Sequence, residues 1–264
     1  ISDDYSKIAY IVPRSLNTNG EDKSGIWVLE TAGLPLGFPR DPKRITDGEL
    51  TNANLIFSPD GREILVSIAT AVYLLDSGEF TPQYSRVNIA SGKTKILADW
   101  EKQRKLELSG KMRNLSFELR DILTRKASSL SFSPDETKIL YTASGSAVLA
   151  ENLIKPLPGS STQPQNRNIE EHRTYLYDIK EDRNFLIYDQ EVTINSQQRA
   201  EGSQQSAVGS SQGVALRWFP TSNHLILIEQ DKITIMDYDS TNRQVVYSGS
   251  YIAPNDYPLI DPAT

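Results

Sequence analysis

Five short patterns in the 264-residue chain have residue types that could do chemistry. Gly209-Ser210-Ser211-Gln212-Gly213 spells the Gly-x-Ser-x-Gly elbow of serine hydrolases. That elbow needs a strand before the Ser and a helix after it, so that Oγ stands exposed on a sharp turn. Here a Gln/Ser-rich run precedes, Val214 to Trp218 reads as a strand afterwards, and His224 comes too soon to serve as the base. The pattern reads as loop. Ser91-Gly92-Lys93-Thr94 resembles the end of a phosphate-binding loop, but Val87 stands where the leading Gly is needed, and the flanks read as strands. A hairpin turn is the reading, with no helix N-terminus to hold a phosphate. Asp237, Asp239 and Thr241 alternate like a calcium loop, but Ser248 occupies the place of the chelating Glu. His172, in Glu170-Glu171-His172-Arg173, reads as part of a solvated charge run, and His224 as a turn residue. No catalytic, cofactor-binding or metal-ligating residue survives this weighing.

Composition agrees with that outcome. The chain has no Cys and two His, which removes disulfides, thiolate zinc sites, iron–sulfur clusters and Cys nucleophiles. Its 28 basic and 34 acidic residues give a net charge of −6, without the basic footprint that nucleic-acid binding needs. No apolar run approaches the roughly 20 residues that span a membrane. The chain opens on Ile1, so the expectation is a piece cut from something longer.

The elements that must carry these residues repeat. Leu55-Ile56-Phe57-Ser58-Pro59-Asp60-Gly61-Arg62-Glu63-Ile64-Leu65 recurs as Leu130-Ser131-Phe132-Ser133-Pro134-Asp135-Glu136-Thr137-Lys138-Ile139-Leu140. A weaker copy runs from Leu216 to Ile226, and Ile1 to Ala9 fits the frame without the Pro. Each copy reads as strand, tight turn, strand, because Pro sets φ near −65° and Asp and Gly suit the reversal. A second hairpin comes after each copy, with first strands at 25–29, 86–89, 174–179 and 233–238 and fourth strands at 94–97, 184–187 and 244–247. Ile1, Phe57, Phe132 and Trp218 stand 56, 75 and 86 residues apart. Setting aside about 70–83, 97–127, 144–173 and 189–212 leaves roughly 41 residues per unit, the length of a four-stranded propeller blade.

The Phe-Ser-Pro-Asp turns resemble the WD-repeat-like blades of TolB-type β-propellers. The wording at Ser131–Tyr141, Ile154–Gly159, Tyr177–Asn184 and Ile235–Asp239 is similar to the propeller regions of bacterial PEGA-domain surface proteins. The resemblance implies an extracytoplasmic protein of the cell envelope, tethered by a membrane segment absent from this chain, and supplies no catalytic residues.

The expected fold is all-β: a propeller of four-stranded antiparallel blades in units of about 1–50, 53–97, 128–188 and 213–250. Helical spacing of Met112, Leu115, Leu119, Ile122 and Leu123 places one helical insertion at about 98–127, between blades two and three. Lys102 to Lys126 then mixes Lys and Arg with Glu on a solvated helix face, and Trp100 docks the helix. Residues 144–173 and 195–212 read as irregular insertions, the latter of low complexity. Trp27, Trp218, Phe57 and Phe132 are expected between blades. The run from Tyr251 to Tyr257 looks like the approach to a further blade, so the ring is expected to be incomplete and its exposed faces sticky. The expected role is a non-catalytic scaffold, with no cofactor, binding a protein or glycan through propeller face and rim loops, with no nucleic acid and no direct membrane insertion by this piece. The alternative is the propeller domain of a larger enzyme such as a serine peptidase, gating or positioning substrate.

Overall fold

The computed structural model describes residues 1–14, 22–31, 41–153, 163–189, 193–194, 214–229 and 231–249. They are mostly β, in small antiparallel sheets with two helices. The segments 154–159, 195–213 and 251–257, including the Ser211 pattern, lie outside the described residues. The chain divides into two compact units, Ile1–Leu108 and Ser109–Pro262.

In the first unit, β1 (Lys7–Val12), β2 (Gly25–Glu30) and β3 (Lys43–Asp47) form a meander, the first sheet. β4 (Asn54–Phe57), β5 (Glu63–Ile68) and β6 (Ala71–Asp76) form the second. The sheets pack face to face: Ile26, Val28 and Ile45 of the first join Phe57, Ile64, Val66 and Leu75 of the second in one buried cluster. The opposite face of the second sheet, Leu65 and Val72 with half-buried Ile56 and Leu74, is covered by Trp100, Ile96 and Leu97 of α1 (Lys93–Met112).

This corrects three expectations. The repeat spacing puts residues 70–83 in an insertion, yet Ala71–Asp76 is the third strand. Its run Ala-Val-Tyr-Leu-Leu is in contact on both faces and so lacks the alternation of a half-exposed strand. Residues 86–89 and 94–97 are not strands. The first belongs to a strap ending in the 3-10 turn Ala90–Gly92, and the second lies within α1. The second sheet therefore has three strands, and the helical insertion begins at Lys93.

In the second unit, α2 (Phe117–Lys126) starts at Ser116, whose hydroxyl accepts from the Leu119 amide at 3.3 Å. The helical region is thus two helices rather than one. Leu115, Leu119 and Leu123 are buried, while Met112 and Ile122 are half-buried. β7 (Ala127–Phe132) and β8 (Lys138–Ala143) open the third sheet. The short ribbon β9 (Ala147–Val148) and β10 (Asn168–Ile169) interrupts it, so the segment 144–173 is not wholly irregular. β11 (Thr174–Asp178) and β12 (Arg183–Tyr188) complete a four-stranded sheet in the order β7-β8-β11-β12. In the fourth, β13 (Thr193–Ile194) pairs parallel to β14 (Ala215–Trp218), an unforeseen addition. β15 (His224–Ile228), β16 (Lys232–Asp237) and β17 (Gln244–Ser248) continue it antiparallel. Trp218, Phe57 and Phe132 are buried as expected, but Trp27 is half-exposed, its indole N–H donating to the Lys23 carbonyl at 3.0 Å.

The repeated turn has one geometry four times. Ser2, Ser58, Ser133 and Phe219 each donate their amide, at 2.9 Å, to the carbonyl five residues on: Lys7, Glu63, Lys138 and His224. In the first three, the Ser hydroxyl donates to Asp4, Asp60 or Asp135 at 2.6–2.7 Å and accepts the returning amide at 2.9–3.0 Å. The fourth residue is left-handed in every copy: Tyr5, Gly61, Glu136 and Ser222, with φ of 60°, 67°, 59° and 63°. After β2, β6, β11 and β16, the amide of Thr31, Ser77, Ile179 or Tyr238 returns to the carbonyl of Ser6, Arg62, Thr137 or Asn223 at 2.7–3.0 Å.

Sheet-to-sheet contacts repeat as well. Lys7 Nζ reaches across to the Ser77 hydroxyl at 2.7 Å in the first unit; in the second, Lys138 Nζ lies 4.7 Å from the ring centre of Tyr238. Lys7 and Lys138 hold the same place in the repeat, as do Ser77 and Tyr238.

The turn geometry sets two expected outcomes. Glu136 carries the left-handed strain that Gly61 avoids, so Glu136→Gly should raise stability by about 0.5–1 kcal/mol in urea unfolding. The Ser58 hydroxyl holds the Asp60 carboxyl below its usual 3.8. At Asp135, burial alone would raise it, but the bonds from Ser133 and Thr137 outweigh burial, and the net shift is downward. Carboxyls depressed in the folded state stabilise it above their unfolded pKa and lose that contribution as pH falls through the folded value. Thermal stability should therefore drop as pH falls below about 4, and less steeply in the Asp60→Asn, Asp135→Asn double variant.

Candidate binding surface

In place of the strand that the sequence predicts at 86–89, a strap runs from Ser77 to Gly92. Asp76 Oδ1 turns it away from β6 by accepting the amides of Gly78 at 2.7 Å and Glu79 at 3.1 Å. It then lies along β3: the Thr81 amide donates to the Ile45 carbonyl at 2.8 Å, the Thr46 hydroxyl to the Thr81 carbonyl at 2.6 Å, and the Gln83 amide to Asp47 Oδ1 at 2.6 Å. Gly48, at φ +92°, permits the close passage, since a Cβ there would fall 2.4 Å from Gln83 Oε1. The strap returns to β6 through the Ile89 amide on the Val72 carbonyl at 2.8 Å and Asn88 Oδ1 on the Val72 amide at 3.1 Å. Arg86 stacks 4.9 Å over the Tyr73 ring between these anchors.

A segment so fixed still turns three large apolar side chains outward: Phe80 is 53 %, Tyr84 90 % and Val87 71 % exposed. Anchored aromatics lose little conformational freedom on contact, which is the physical requirement of a recognition surface. Sequence reading misses this site because Val87 and Ile89 alternate like strand residues. Pro82 is the available signal, since Pro does not sit inside a paired strand.

The buried polar groups of the third sheet form a different kind of assembly. Tyr141 donates to Asn184 Oδ1 at 2.9 Å, and Asn184 Nδ2 donates to the Asn166 carbonyl at 2.7 Å. Tyr177 donates to Asp182 Oδ1 at 2.5 Å, and Arg167 Nη1 reaches the same oxygen at 3.1 Å and the Ala150 carbonyl at 3.0 Å. Burial pushes both phenols far above their usual 10, and at Tyr177 the bond to Asp182 adds to the rise. Both stay protonated at neutral pH and donate hydrogen bonds. The network fastens residues 163–169 onto the sheet.

The motifs singled out in the sequence fall apart in space or into turns. Ser91 and Gly92 close the strap, and Lys93 opens α1, so this is a helix start and not the hairpin turn expected. Asp239 Oδ1 accepts the Thr241 amide at 3.1 Å and hydroxyl at 2.6 Å, and Asp237 Oδ2 accepts from Asn242 Nδ2 at 2.6 Å. Those carboxylates shape the turn. His224 begins β15 rather than occupying a turn, with Nε2 3.3 Å from Asp237 Oδ1 and Nδ1 3.2 Å from the Thr221 hydroxyl. His172 is left-handed at φ 65°, 3.6 Å from Glu171. Among the described residues, no three His, Asp or Glu side chains gather as a metal site, and no helix is long and apolar enough to cross a membrane.

No family model matches the chain, and no curated protein matches it. Among solved structures, TolB from Acinetobacter baumannii aligns at 14 % identity over 94 % of this chain and 42 % of its own, with a TM-score of 0.23. The WD40 β-propeller domain of Doa1 aligns at 9 % identity over 95 % and 69 %, with a TM-score of 0.25. A putative TolB from Agrobacterium tumefaciens aligns at 13 % over 92 % and 83 %, with a TM-score of 0.25. The chain thus spans less than half of the first. Superpositions this loose do not establish a shared fold.

The two assemblies should respond oppositely to truncation. Tyr177→Phe leaves Asp182 short of a buried donor and should cost about 1–3 kcal/mol in urea unfolding, whereas Tyr84→Ala should stay within about 0.5 kcal/mol of wild type.

Proposed function

We propose that the chain is a non-catalytic binding module of propeller type, belonging to a bacterial envelope protein and presenting the strap at Ser77–Gly92 to a protein or glycan partner. The propeller reading is supported by the recurrence of turn, return bond and sheet-to-sheet contact in both units, since consecutive antiparallel sheets docked in one fixed way are the elements of such a fold. The envelope location comes from the resemblance of the Phe-Ser-Pro-Asp turns to TolB-type blades.

The binding role is carried by one observation: Phe80, Tyr84 and Val87 are exposed on a segment that backbone bonds hold rigid at both ends. Exposed apolar side chains gathered on one segment are the kind of surface that marks interaction sites.

A photoreactive phenylalanine analogue placed at Tyr84 in cells should yield a discrete crosslinked species, lost when Phe80 and Val87 are both changed to Ser. The same analogue at Lys102 on α1 should yield none. Equal crosslinking from both positions, or none from Tyr84, would remove the strap as the site. Turnover of ester or peptide substrates by the purified chain would overturn the non-catalytic reading.

A further inference from the structure

The polar side chains on and around the strap are committed to holding it in place. Asp76 Oδ1 accepts the amides of Gly78 and Glu79, Asp47 Oδ1 that of Gln83, and Asn88 Oδ1 those of Val72 and Ala90. Gln83 Oε1 lies against Gly48, and the Thr46 hydroxyl donates to the Thr81 carbonyl at 2.6 Å. A sugar is recognised by carboxylates and amides that meet its hydroxyls beside an aromatic ring. Here those oxygens already accept from the chain itself.

Charge is committed in the same way. From Phe80 to Ala90 the sequence has one ionic residue, Arg86, with Glu79 just outside. Arg86 is half-buried, its guanidinium 4.9 Å over the Tyr73 ring and its Nε donating to the Gln83 carbonyl at 3.4 Å. The outward surface between Phe80 and Val87 therefore offers no counter-charge to a phosphate backbone, an anionic lipid or an acidic polymer. Its electrostatic complement is an uncharged surface.

Shape narrows the partner further. Tyr84 lies in the 3-10 turn Gln83–Ser85 and is 90 % exposed, so its ring stands out as a knob. The turn beneath is closed by the Ser85 amide on the Pro82 carbonyl at 2.9 Å and the Arg86 amide on the Gln83 carbonyl at 3.4 Å. Apolar burial scales with the area removed from water. A sugar stacked on one face of the ring would leave its other face and edges wet, whereas a pocket removes nearly the whole ring from solvent.

We propose that the partner of the strap is a folded protein whose uncharged apolar pocket seats the Tyr84 ring, with Phe80 and Val87 closing the rim. The proposal rests on the reading of the strap as a binding surface and chooses the protein over the glycan. An aromatic anchor in a partner's pocket, ringed by apolar contacts and depleted of charge, is how the centre of a protein–protein interface is built. The described residues of this chain leave the ring in solvent, so the pocket lies outside them.

A photoreactive phenylalanine analogue at Val87, in the protein as it occurs in cells, leaves Tyr84 as the variable. The expected adduct joins position 87 to another polypeptide and is degraded by protease but not by periodate. In isolated envelopes its yield should hold within about twofold between about 0.05 and 0.5 M salt, because the contact has no charge to screen. Tyr84→Phe should keep that yield, whereas Tyr84→Ser should lower it about tenfold or more with unchanged thermal unfolding. The protein partner is overturned by a yield that collapses with salt, by Tyr84→Phe behaving like Tyr84→Ser, or by a crosslink from position 87 to another segment of the same chain. Purified peptidoglycan is the sugar probe: the wild-type chain should stay in solution when it is pelleted. Pelleting that Tyr84→Ser abolishes would replace the protein with a glycan and leave the strap as the site. No adduct from either position 84 or position 87 would remove the strap itself, and this proposal with it.

Discussion

The turn that leads into β1, β5, β8 and β15 is the constraint on which the rest depends. Its amide-to-carbonyl bond closes five residues later, so the pairing register of the first hairpin is set before any long-range contact forms. A one-residue slip would send every side chain to the opposite face. Ser and Asp hold the loop because the hydroxyl donates to the carboxylate while receiving the returning amide, leaving few polar groups of the turn to water. Phe219 and Thr221 replace them in the fourth copy, yet the backbone path persists, so the left-handed fourth residue is the more basic requirement.

From that turn the remaining order builds in steps. With the hairpin registered, the residue after the third strand bonds back beside the turn, as Ser77 does to Arg62. The third strand then stands in line, and the sheet presents two apolar faces. One face takes the neighbouring sheet and the other must be covered by something else. For the second sheet, that cover is α1, held by Trp100 and by Arg104, whose guanidinium meets Asp3 at 2.6 Å and the Phe57 carbonyl at 2.9 Å. Burial raises the Asp3 carboxyl even against the pull of Arg104, a sign of how closely the helix lies on the turns.

Legibility tracks how local each feature is. Turns are readable because Ser-Pro-Asp acts within five residues. The strands beside them are readable from alternation. The second sheet escapes because its third strand touches neighbours on both faces, while the exposed Val87 imitates the alternation of a strand. An apolar residue looks the same in sequence whether it faces a core or solvent, so the strap is recognised only once exposure is known. Trp27 shows the same ambiguity in reverse: an aromatic on a strand, expected in the interior, stands half outside. The single helix becomes two because Ser116, a capping residue, sits inside an otherwise continuous apolar spacing.

The meander also divides each sheet into a fixed end and a free end. Turns at 58–62, 133–137 and 219–223 are all of one length, five residues. The links β5–β6, β15–β16, β1–β2 and β8–β11, at the opposite end, run over 69–70, 229–231, 13–24 and 144–173. Length there varies from two residues to thirty while the strands on either side keep their register. This is the end at which the scaffold tolerates new sequence. A foreign loop grafted in place of 69–70 or 229–231 would be carried by strands whose pairing is already decided elsewhere, which makes the short links the natural entry points for remodelling.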